Sequence, residues 1–245
     1  MISPIEFHLP TVTSTNDYAK TLLATYPYVF VSAMHQTAGR GRKGRVWEGE
    51  YGLNAYCSLA LRHSSYVVPE DASAFMARGA LSVIHVLRSF SEKLRFRIKY
   101  PNDVQVQTEQ GWRKISGVLV EHEYQGERCM TTIVGIGINV QQDTFSDTIS
   151  EVGTSLSKLG VRVNVQSVLQ NLKSTITDLR MQSWQIVHEE WVRELNIVGK
   201  TIELVGEQGV WNVSEVLTDG RLIAKKEHSL TERIISDGDT IRYHD

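Results

Sequence analysis

The stretch that decides the fold is residues 96–140, FRIKYPNDVQVQTEQGWRKISGVLVEHEYQGERCMTTIVGIGINV. It contains three runs rich in β-branched and aromatic residues, at 96–106, 112–124 and 129–140, separated by polar or glycine-bearing turns. Such runs predict hairpins of a largely antiparallel or mixed sheet. Because helical patterns precede and follow this sheet, an α+β protein is predicted.

The flanking helices are marked by apolar residues at helical spacing. A short helix is expected after Ser14, and a second helix, capped by Asp71, carries apolar residues at every third or fourth position as far as Leu87. A further helical pattern covers residues 165–195 and is interrupted near Gln182. These segments supply the helical layer of the predicted fold.

The C-terminal part of the chain has a different texture. From Gly199 onward short alternating strands replace the helices, and Asp219-Gly220 is a strong hairpin signal. We therefore expect a larger domain over residues 1–197 and a small β-barrel-like domain over 198–245.

Composition and charge limit the classes of function. The 26 basic and 28 acidic residues give a formal net charge of −2, which excludes a protein whose whole surface binds a polyanion. Cys57 and Cys129 lie in apolar runs without metal-ligand spacing, so both are expected to be reduced core residues. No leader pattern and no membrane-spanning window is recognised, so a cytoplasmic protein without membrane association is expected.

A basic, glycine-rich segment lies between two predicted strands. This basic loop, QTAGRGRKGRVW at residues 36–47, is compatible with a solvated loop, a nucleic-acid-binding segment or a phosphate-binding loop. It lacks the Walker pattern, and the spacing of Gly39, Gly41 and Gly44 is not followed by the helix and acidic residue of a dinucleotide site. A nucleotide site in this chain would need another design.

Five short motifs follow one another along the chain: TSTND at 13–17, QTAGRGRKGRVW at 36–47, KYPND at 99–103, KISGVLVE at 114–121 and GIGINV at 135–140. In this combination the sequence closely resembles the biotin protein ligases, and the resemblance extends over nearly the whole chain. It implies a mixed sheet packed against helices, of the class II synthetase-like type, followed by a small C-terminal SH3-like β-barrel domain.

The resemblance implies a two-step reaction that uses ATP, biotin and Mg²⁺. The carboxylate of biotin attacks the α-phosphate of ATP to give biotinyl-AMP and pyrophosphate. A lysine amine of a biotin carboxyl carrier protein or domain, part of a biotin-dependent carboxylase, then displaces AMP. Since both early reactants are anions, fixed cations must screen them. By the resemblance, Arg42 and Lys114 are the chief electrostatic catalysts.

The resemblance also implies which residues contact biotin: Ser14, Thr15, Asn16, Gln36, Gly39, Arg40, Gly41, Arg42, Lys114 and Gly117. The ureido ring carries two N–H donors and one carbonyl, so a tight pocket must offer matched polar groups. For Ser14 and Thr15 the alternative role is helix capping.

A second set is expected to contact ATP or the adenylate: Arg42, Lys43, Arg45, Trp47, Asn102, Lys114 and Asn139. Asp103 is a candidate magnesium ligand or a support for its turn. Trp47 is expected to pack over the adenylate, to fix the loop hinge or to join the core. For Arg45 the alternative is a salt bridge with Glu48.

Three further positions carry structural expectations. Gly135 and Gly137 permit a close approach of other groups to the backbone, with a β-bulge as the alternative for these glycines and for Gly117. Tyr100 stands where the family generally has tryptophan, so its hydroxyl needs a hydrogen-bond partner.

Alternatives stay open at this point. A lipoate–protein ligase shares the fold and the adenylation chemistry, and a nucleic-acid-binding module would use the basic loop. Because TSTND begins at residue 13, no DNA-binding helix-turn-helix is expected and a monofunctional ligase is predicted. The oligomeric state, monomer or homodimer, is not specified by the sequence. The basic loop is expected to be mobile until an anion neutralises its charge.

Overall fold

The computed structural model describes residues 3–64 and 69–243. Its larger sheet contains seven strands: β1 (Ile5–Leu9), β2 (Tyr28–Ala33), β3 (Asn54–Arg62), β4 (Phe96–Lys99), β5 (Asp103–Thr108), β6 (Gly111–Gln125) and β7 (Arg128–Asn139). Their order across the sheet is β1-β2-β3-β7-β6-β5-β4. β1 and β2 run parallel and the other neighbours antiparallel, so the predicted mixed sheet is confirmed.

The described residues form five α-helices: α1 (Thr15–Leu22), α2 (Pro69–Phe90), α3 (Asp147–Ser150), α4 (Val165–Met181) and α5 (Trp184–Leu195). The break predicted near Gln182 is confirmed, and Ser183 caps α5 by accepting from the backbone N–H of Ile186. The capping role of Asp71 was wrong, because α2 already begins at Pro69, whose fixed φ suits a first helical position. None of the described helices has the length and apolar character needed to cross a membrane.

The two halves of the large sheet are covered differently. β2 and β3 are buried on both faces: Phe30 belongs to the main core with α2 and α4, whereas Val31 packs with Ala19 of α1. In β4 and β5 alternate residues such as Ile98 and Val104 are buried in the main core, and the residues between them are partly exposed. The uncovered face of this half forms the floor of a cavity.

A second, five-stranded antiparallel sheet follows α5. Its strands are β8 (Thr201–Leu204), β9 (Val210–Val216), β10 (Leu222–Lys226), β11 (Glu232–Ile235) and β12 (Ile241–Tyr243), in the order β11-β10-β9-β8-β12. Buried Trp211, Leu222 and Ala224 contribute to its core, and the predicted turn at Asp219-Gly220 joins β9 to β10. The predicted α+β fold with a small SH3-like β domain is confirmed, while a boundary at residue 198 stays a prediction.

The second sheet packs against the turn that follows β4. The Tyr100 hydroxyl donates to the carbonyl oxygen of Gly220 at 3.0 Å and lies 3.3 Å from that of Ile235. A Cβ atom on Gly238 would lie 2.2 Å from the carbonyl oxygen of Tyr100, so glycine permits this close approach. Indole Nε1 of Trp184 in α5 donates to the carbonyl of Thr218 at 2.9 Å. The partner expected for the Tyr100 hydroxyl is thus found in the C-terminal sheet.

Candidate active site

A cavity of about 900 Å³ lies between the uncovered face of the large sheet, the basic loop and the edge of the second sheet. It brings together predicted residues from all five motifs: Ser14, Thr15, Asn16, Gln36, Arg40, Gly41, Arg42, Arg45, Trp47, Asn102, Asp103, Lys114, Gly117 and Asn139. Gly39 and Lys43 are absent from this lining. The convergence is observed, whereas contacts with biotin or nucleotide stay predictions.

Some of the cavity wall was not predicted from the sequence. Apolar Phe145, Ile149 and Val152, which follow β7, line one side, and Arg97 and Tyr243 line another. Phe145 and Val152 lie in irregular segments, Ile149 in the short helix α3, and Arg97 and Tyr243 in edge strands, and none of them belongs to a motif. Neither periodicity nor spacing therefore distinguished them from ordinary surface residues.

A buried polar network begins at the start of α1. The backbone N–H and the hydroxyl of Thr15 both contact Gln36 Oε1, at 2.8 and 3.1 Å. Asn16 donates to Glu121 Oε2 at 2.6 Å, and Ser58 donates to Asn16 Oδ1 at 2.6 Å. Ser14 occupies the N-cap position of α1, but its side chain makes no capping hydrogen bond. Ser58 and Glu121 were missed because they face these groups from distant strands.

The cavity floor contains glycines that admit large side chains. A Cβ atom on Gly135 would lie 2.2 Å from Asn16 Oδ1, and one on Gly137 would lie 2.5 Å from Trp47 Cε2. On Gly117 a Cβ atom would lie 2.8 Å from Trp47 Cζ3. Gly117 pairs directly with Gly137 in an unbroken register, so the predicted close approach applies and the β-bulge alternative is wrong. Register irregularities lie instead at Val104/Gln105, where β5 pairs with β6, and at Glu123/Tyr124, where β6 pairs with β7.

The indole of Trp47 rests on this glycine floor inside the cavity lining. Its Nε1 atom is buried without a hydrogen-bond partner, and Lys114 Nζ lies 5.3 Å from the ring centroid. An unpartnered buried N–H is unfavourable unless another group accepts its hydrogen bond. This arrangement supports the predicted packing of Trp47 beside a ligand more than a role in the main core.

The basic loop folds back on itself. Arg40 and Val46 form an isolated antiparallel bridge, and the Gly41 N–H donates to the carbonyl of Arg45 at 2.7 Å. A 3-10 turn covers Arg42–Gly44, within which Lys43 has φ 55°. The loop is therefore an irregular hairpin with Arg40 at its base and Arg42, Lys43 and Arg45 at its tip.

Each cation of the loop contacts an acidic or amide side chain. Arg40 makes two hydrogen bonds to Asp17 of α1 and one, at 3.4 Å, to Glu121. The hydrogen bond from Arg40 holds the pKa of Asp17 below its usual value. Arg42 donates to Asn102 Oδ1 at 3.2 Å and to Asp237 Oδ1 at 3.1 Å. The predicted contact of Arg40 with the biotin carboxylate stays a prediction.

The tip of the loop reaches the second sheet. Lys43 Nζ hydrogen-bonds Asp237 and lies 3.3 Å from Asp239 Oδ2, and Arg45 donates to Asp239 Oδ1 at 2.8 Å. The alternative partner expected for Arg45, Glu48, was therefore wrong. No motif predicted these contacts, because Asp237 and Asp239 lie almost 200 residues along the chain.

Lys114 lies on β6 beside the turn after β4. Its ammonium group is 2.7 Å from Asp103 Oδ1. Its backbone N–H and carbonyl bond to Val152 and Thr154, at 2.7 and 2.9 Å, which fixes the strand at this point. Asn139 donates to the carbonyl of Thr154 at 3.0 Å. The segment 152–154 thus bonds to both Lys114 on β6 and Asn139 on β7, two residues predicted to contact the nucleotide.

No group of three or more His, Cys, Asp or Glu side chains in the described part of the chain is arranged to hold a metal ion. Asp103 is the predicted candidate, and its carboxylate faces Lys114 in the cavity. Mg²⁺ in nucleotide sites is commonly held by one or two carboxylates together with substrate phosphates. The carboxylate of Asp103, together with the phosphates of ATP, would fit that mode of binding.

Comparison with known proteins is consistent with these features. The model of the Biotin/lipoate A/B protein ligase family matches residues 9–139. The bifunctional ligase/repressor BirA of Bacillus spizizenii is 33% identical over 145 residues, which cover 58% of this chain and 42% of that protein. The match thus spans less than half the length of the Bacillus relative.

Two further proteins are similar over more of their length. The biotin–[acetyl-CoA-carboxylase] ligase of Mycobacterium tuberculosis is 30% identical over 206 residues, covering 79% of this chain and 72% of that protein. The solved biotin protein ligase of Aquifex aeolicus in complex with biotin and ATP has a TM-score of 0.75 and 26% identity, covering 98% of this chain and 99% of that one. The chain therefore belongs to the biotin/lipoate A/B protein ligase family and groups with its biotin protein ligases.

Proposed function

We propose that the chain is an ATP-dependent biotin–protein ligase. It activates biotin as biotinyl-5′-AMP and transfers the biotinyl group to a lysine of a biotin carboxyl carrier protein or domain. The observation that carries this proposal is that Arg42 and Lys114 face one cavity whose floor is glycine and whose inner end is a buried polar network.

The first step joins two anions, and the cavity supplies the charge this requires. An oxygen of the biotin carboxylate attacks the α-phosphorus, and the bond from that phosphorus to the departing pyrophosphate breaks. Arg42 and Lys114 stabilise the negative charge that accumulates on the phosphoryl oxygens. Lys114 suits a centre whose charge moves, because its ammonium group is a flexible point charge. Asp103 Oδ1 lies 2.7 Å from that ammonium group and helps to position it.

The second step requires a neutral amine from the acceptor. Its lone pair attacks the carbonyl carbon of the mixed anhydride, AMP leaves with the bonding electrons, and the amine proton passes to solvent or to AMP. Mg²⁺ would neutralise the ATP phosphates, and Asp103 is the residue proposed to contact it. The acceptor is proposed from the chemistry of the product, a biotinylated lysine of a carboxylase subunit.

The polar network favours biotin over lipoate. Gln36, Thr15, Asn16 and Ser58 present donors and acceptors at the inner end of the cavity, which match a ureido ring better than an apolar dithiolane. The nucleic-acid-binding alternative is disfavoured, because Asp17, Asp237 and Asp239 neutralise the cations of the basic loop.

Incubation of the protein with biotin, ATP and MgCl₂ tests the proposal. We expect biotinyl-AMP by mass spectrometry and an equal amount of pyrophosphate, with lipoic acid a poor competitor. Lys114→Gln should lower the rate of adenylate formation by about 100-fold to 1000-fold, the usual effect of removing one transition-state donor. Lys225→Gln is the matched control, since Lys225 pairs with Glu232 away from the cavity.

Two outcomes would overturn the proposal. One is an absence of biotinyl-AMP from the wild-type reaction. The other is a preference for lipoic acid, which would identify a lipoate–protein ligase.

A further inference from the structure

The turn between β11 and β12 meets the tip of the basic loop. We name Asp237, Gly238 and Asp239 the acidic turn. Asp237 contacts Arg42 and Lys43, and Asp239 contacts Lys43 and Arg45. Two carboxylates of the C-terminal sheet thus face the three cations at the tip of a loop that lines the candidate active site.

The acidic turn is held in place by the large sheet. Gly238 packs so closely on the Tyr100–Pro101 peptide that a Cβ atom would lie 2.8 Å from Pro101 Cδ and closer still to the carbonyl oxygen of Tyr100. The Asp237 side chain accepts from the backbone N–H of Asp239 at 3.1 Å, and Thr240 Oγ1 donates to the Asp237 carbonyl at 2.7 Å. The two carboxylates therefore have defined positions.

The contacts also orient Arg42, whose guanidinium group is bound on two sides. Nη1 donates to Asn102 Oδ1 at 3.2 Å, and Nη2 donates to Asp237 Oδ1 at 3.1 Å. At the base of the loop, Arg40 is bound separately to Asp17 on α1. The tip and the base of the loop are thus attached to different parts of the molecule.

The three cations at the tip of the basic loop need nearby negative charge to hold them together. Arg42, Lys43 and Arg45 lie within four residues and repel one another. The hydrogen bond from Lys43 holds the pKa of Asp237 below its usual value, so this carboxylate is ionised at neutral pH. The loop side chains are partly exposed, between 23% and 63%, so each ion pair is individually weak and screened by salt. Such an attachment can open to admit substrates.

We propose that Asp237 and Asp239 are positioning residues that latch the basic loop over the cavity, orient Arg42 and retain the acyl-adenylate until an acceptor amine arrives. This inference rests on the proposed function. A mixed anhydride is consumed by water when it leaves a closed site, since water attacks the carbonyl carbon, AMP departs and free biotin is regenerated. A latched loop reduces that loss.

The double variant Asp237→Asn/Asp239→Asn tests the attachment without any assay of activity. An asparagine at position 237 retains a side-chain oxygen that can accept from the backbone N–H of residue 239, so only charge is removed. Limited trypsin digestion, quantified by mass spectrometry for cleavage after Arg42, Lys43 and Arg45, should be about fivefold faster than in wild type. Rising NaCl should accelerate cleavage of the wild type and change that of the variant little.

Matched variants isolate the effect of the two carboxylates. Glu232→Gln removes a carboxylate of the same sheet that pairs with Lys225, and it should digest like wild type. Asp237→Glu/Asp239→Glu restores the charge and should digest close to the wild-type rate. Thermal unfolding establishes that every variant is folded before digestion, and the single variant Asp239→Asn replaces the double variant if that protein is unstable.

Retention of the adenylate is measured in reactions without acceptor. The wild type and Glu232→Gln should keep most biotinyl-AMP bound after rapid gel filtration, whereas the double variant should release it several-fold faster. Trypsin cleavage and release equal to those of Glu232→Gln would overturn the latch and leave the proposed function intact. A wild type that forms no adenylate would overturn the proposed function, while digestion would still decide whether the carboxylates hold the loop.

Discussion

At the residue scale, Gly137 is a position where a single methyl group has a predictable effect. The strand carrying it is central in the sheet and pairs with β3 and β6, so its backbone cannot move aside. We expect Gly137→Ala to push Trp47 from the floor, to lower adenylate formation strongly and to reduce the free energy of unfolding by about 1–3 kcal/mol. Urea unfolding and the adenylation assay check these effects.

A double-mutant cycle separates this clash from a general effect of alanine in a strand. In a Trp47→Ala background the methyl group at residue 137 meets no indole, so the cost of Gly137→Ala should fall by at least about 1 kcal/mol. Equal costs in both backgrounds would contradict the proposed contact between Trp47 and Gly137.

The sequence predicted which residues converge better than it predicted their partners. The resemblance of the five motifs to a known family was sufficient to bring Lys114, Asn102 and Gln36 to one site, and all three line the cavity. The partners of the loop cations could not be predicted, because ion pairs depend on chain segments brought together only in the folded state. Arg40 illustrates this limit, since its carboxylate partners Asp17 and Glu121 lie 23 and 81 residues away.

At the element scale, a pair of histidines links the ends of β3, β6 and β7. His63 and His122 both contact the buried hydroxyl of Thr132, at 2.8 and 2.9 Å, and Cys129 Sγ lies 3.8 Å from His122. Burial lowers the pKa of both histidines, and for His122 the neighbouring His63 lowers it further. The stability that this end of the sheet contributes is therefore expected to depend on pH.

The sign of that response follows from linkage. In the unfolded chain these histidines have pKa values of about 6.5, so as pH falls they bind protons before the folded chain does. The stabilising contribution is complete above that pH and is lost as pH falls through the depressed folded values. We expect Tm to fall between pH 7.5 and pH 5 and expect His122→Asn to flatten this dependence. Differential scanning calorimetry across that range measures it.

The control for this prediction is His228→Asn. His228 is exposed and has φ 56°, a left-handed conformation that asparagine accepts well. Its pH dependence should match that of the wild type. A wild-type Tm that rises on acidification, or a His122→Asn profile parallel to wild type, would contradict the assignment.

Strand prediction from sequence failed at one edge strand of each sheet. The long strands β6 and β7 were evident, because β-branched residues alternate over many positions. β1 and β11 were missed: each is a short edge strand with mostly exposed residues. IEFHL alternates apolar and polar residues over five positions only, and ERII does not alternate. Their existence depends on pairing with β2 and β10, which is a tertiary effect that local propensity does not report.

At the scale of the whole molecule, the sequence predicted two units but not that both contribute to one site. The change from helical to alternating patterns near Gly199 predicted the second sheet, while the domain boundary stays a prediction. The contact between them arises from side chains that individually look like core residues or solvated acids, such as Tyr100 and Asp239. Their joint position depends on how α5 and the turn after β4 pack on the second sheet.

Tyr100→Phe tests how strongly this contact couples the two sheets. The substitution removes the hydroxyl that contacts the carbonyls of Gly220, partly buried, and Ile235, buried, so the free energy of unfolding should fall by about 1–3 kcal/mol. Because Gly238 packs on the backbone of Tyr100, movement of the second sheet should also shift the acidic turn and speed trypsin cleavage of the basic loop.

Tyr28→Phe is the matched control, since it removes a hydroxyl that contacts Thr177 within the larger unit. It should lower stability modestly and leave cleavage of the loop unchanged. If both variants change loop cleavage equally, the second sheet does not control the loop through Tyr100.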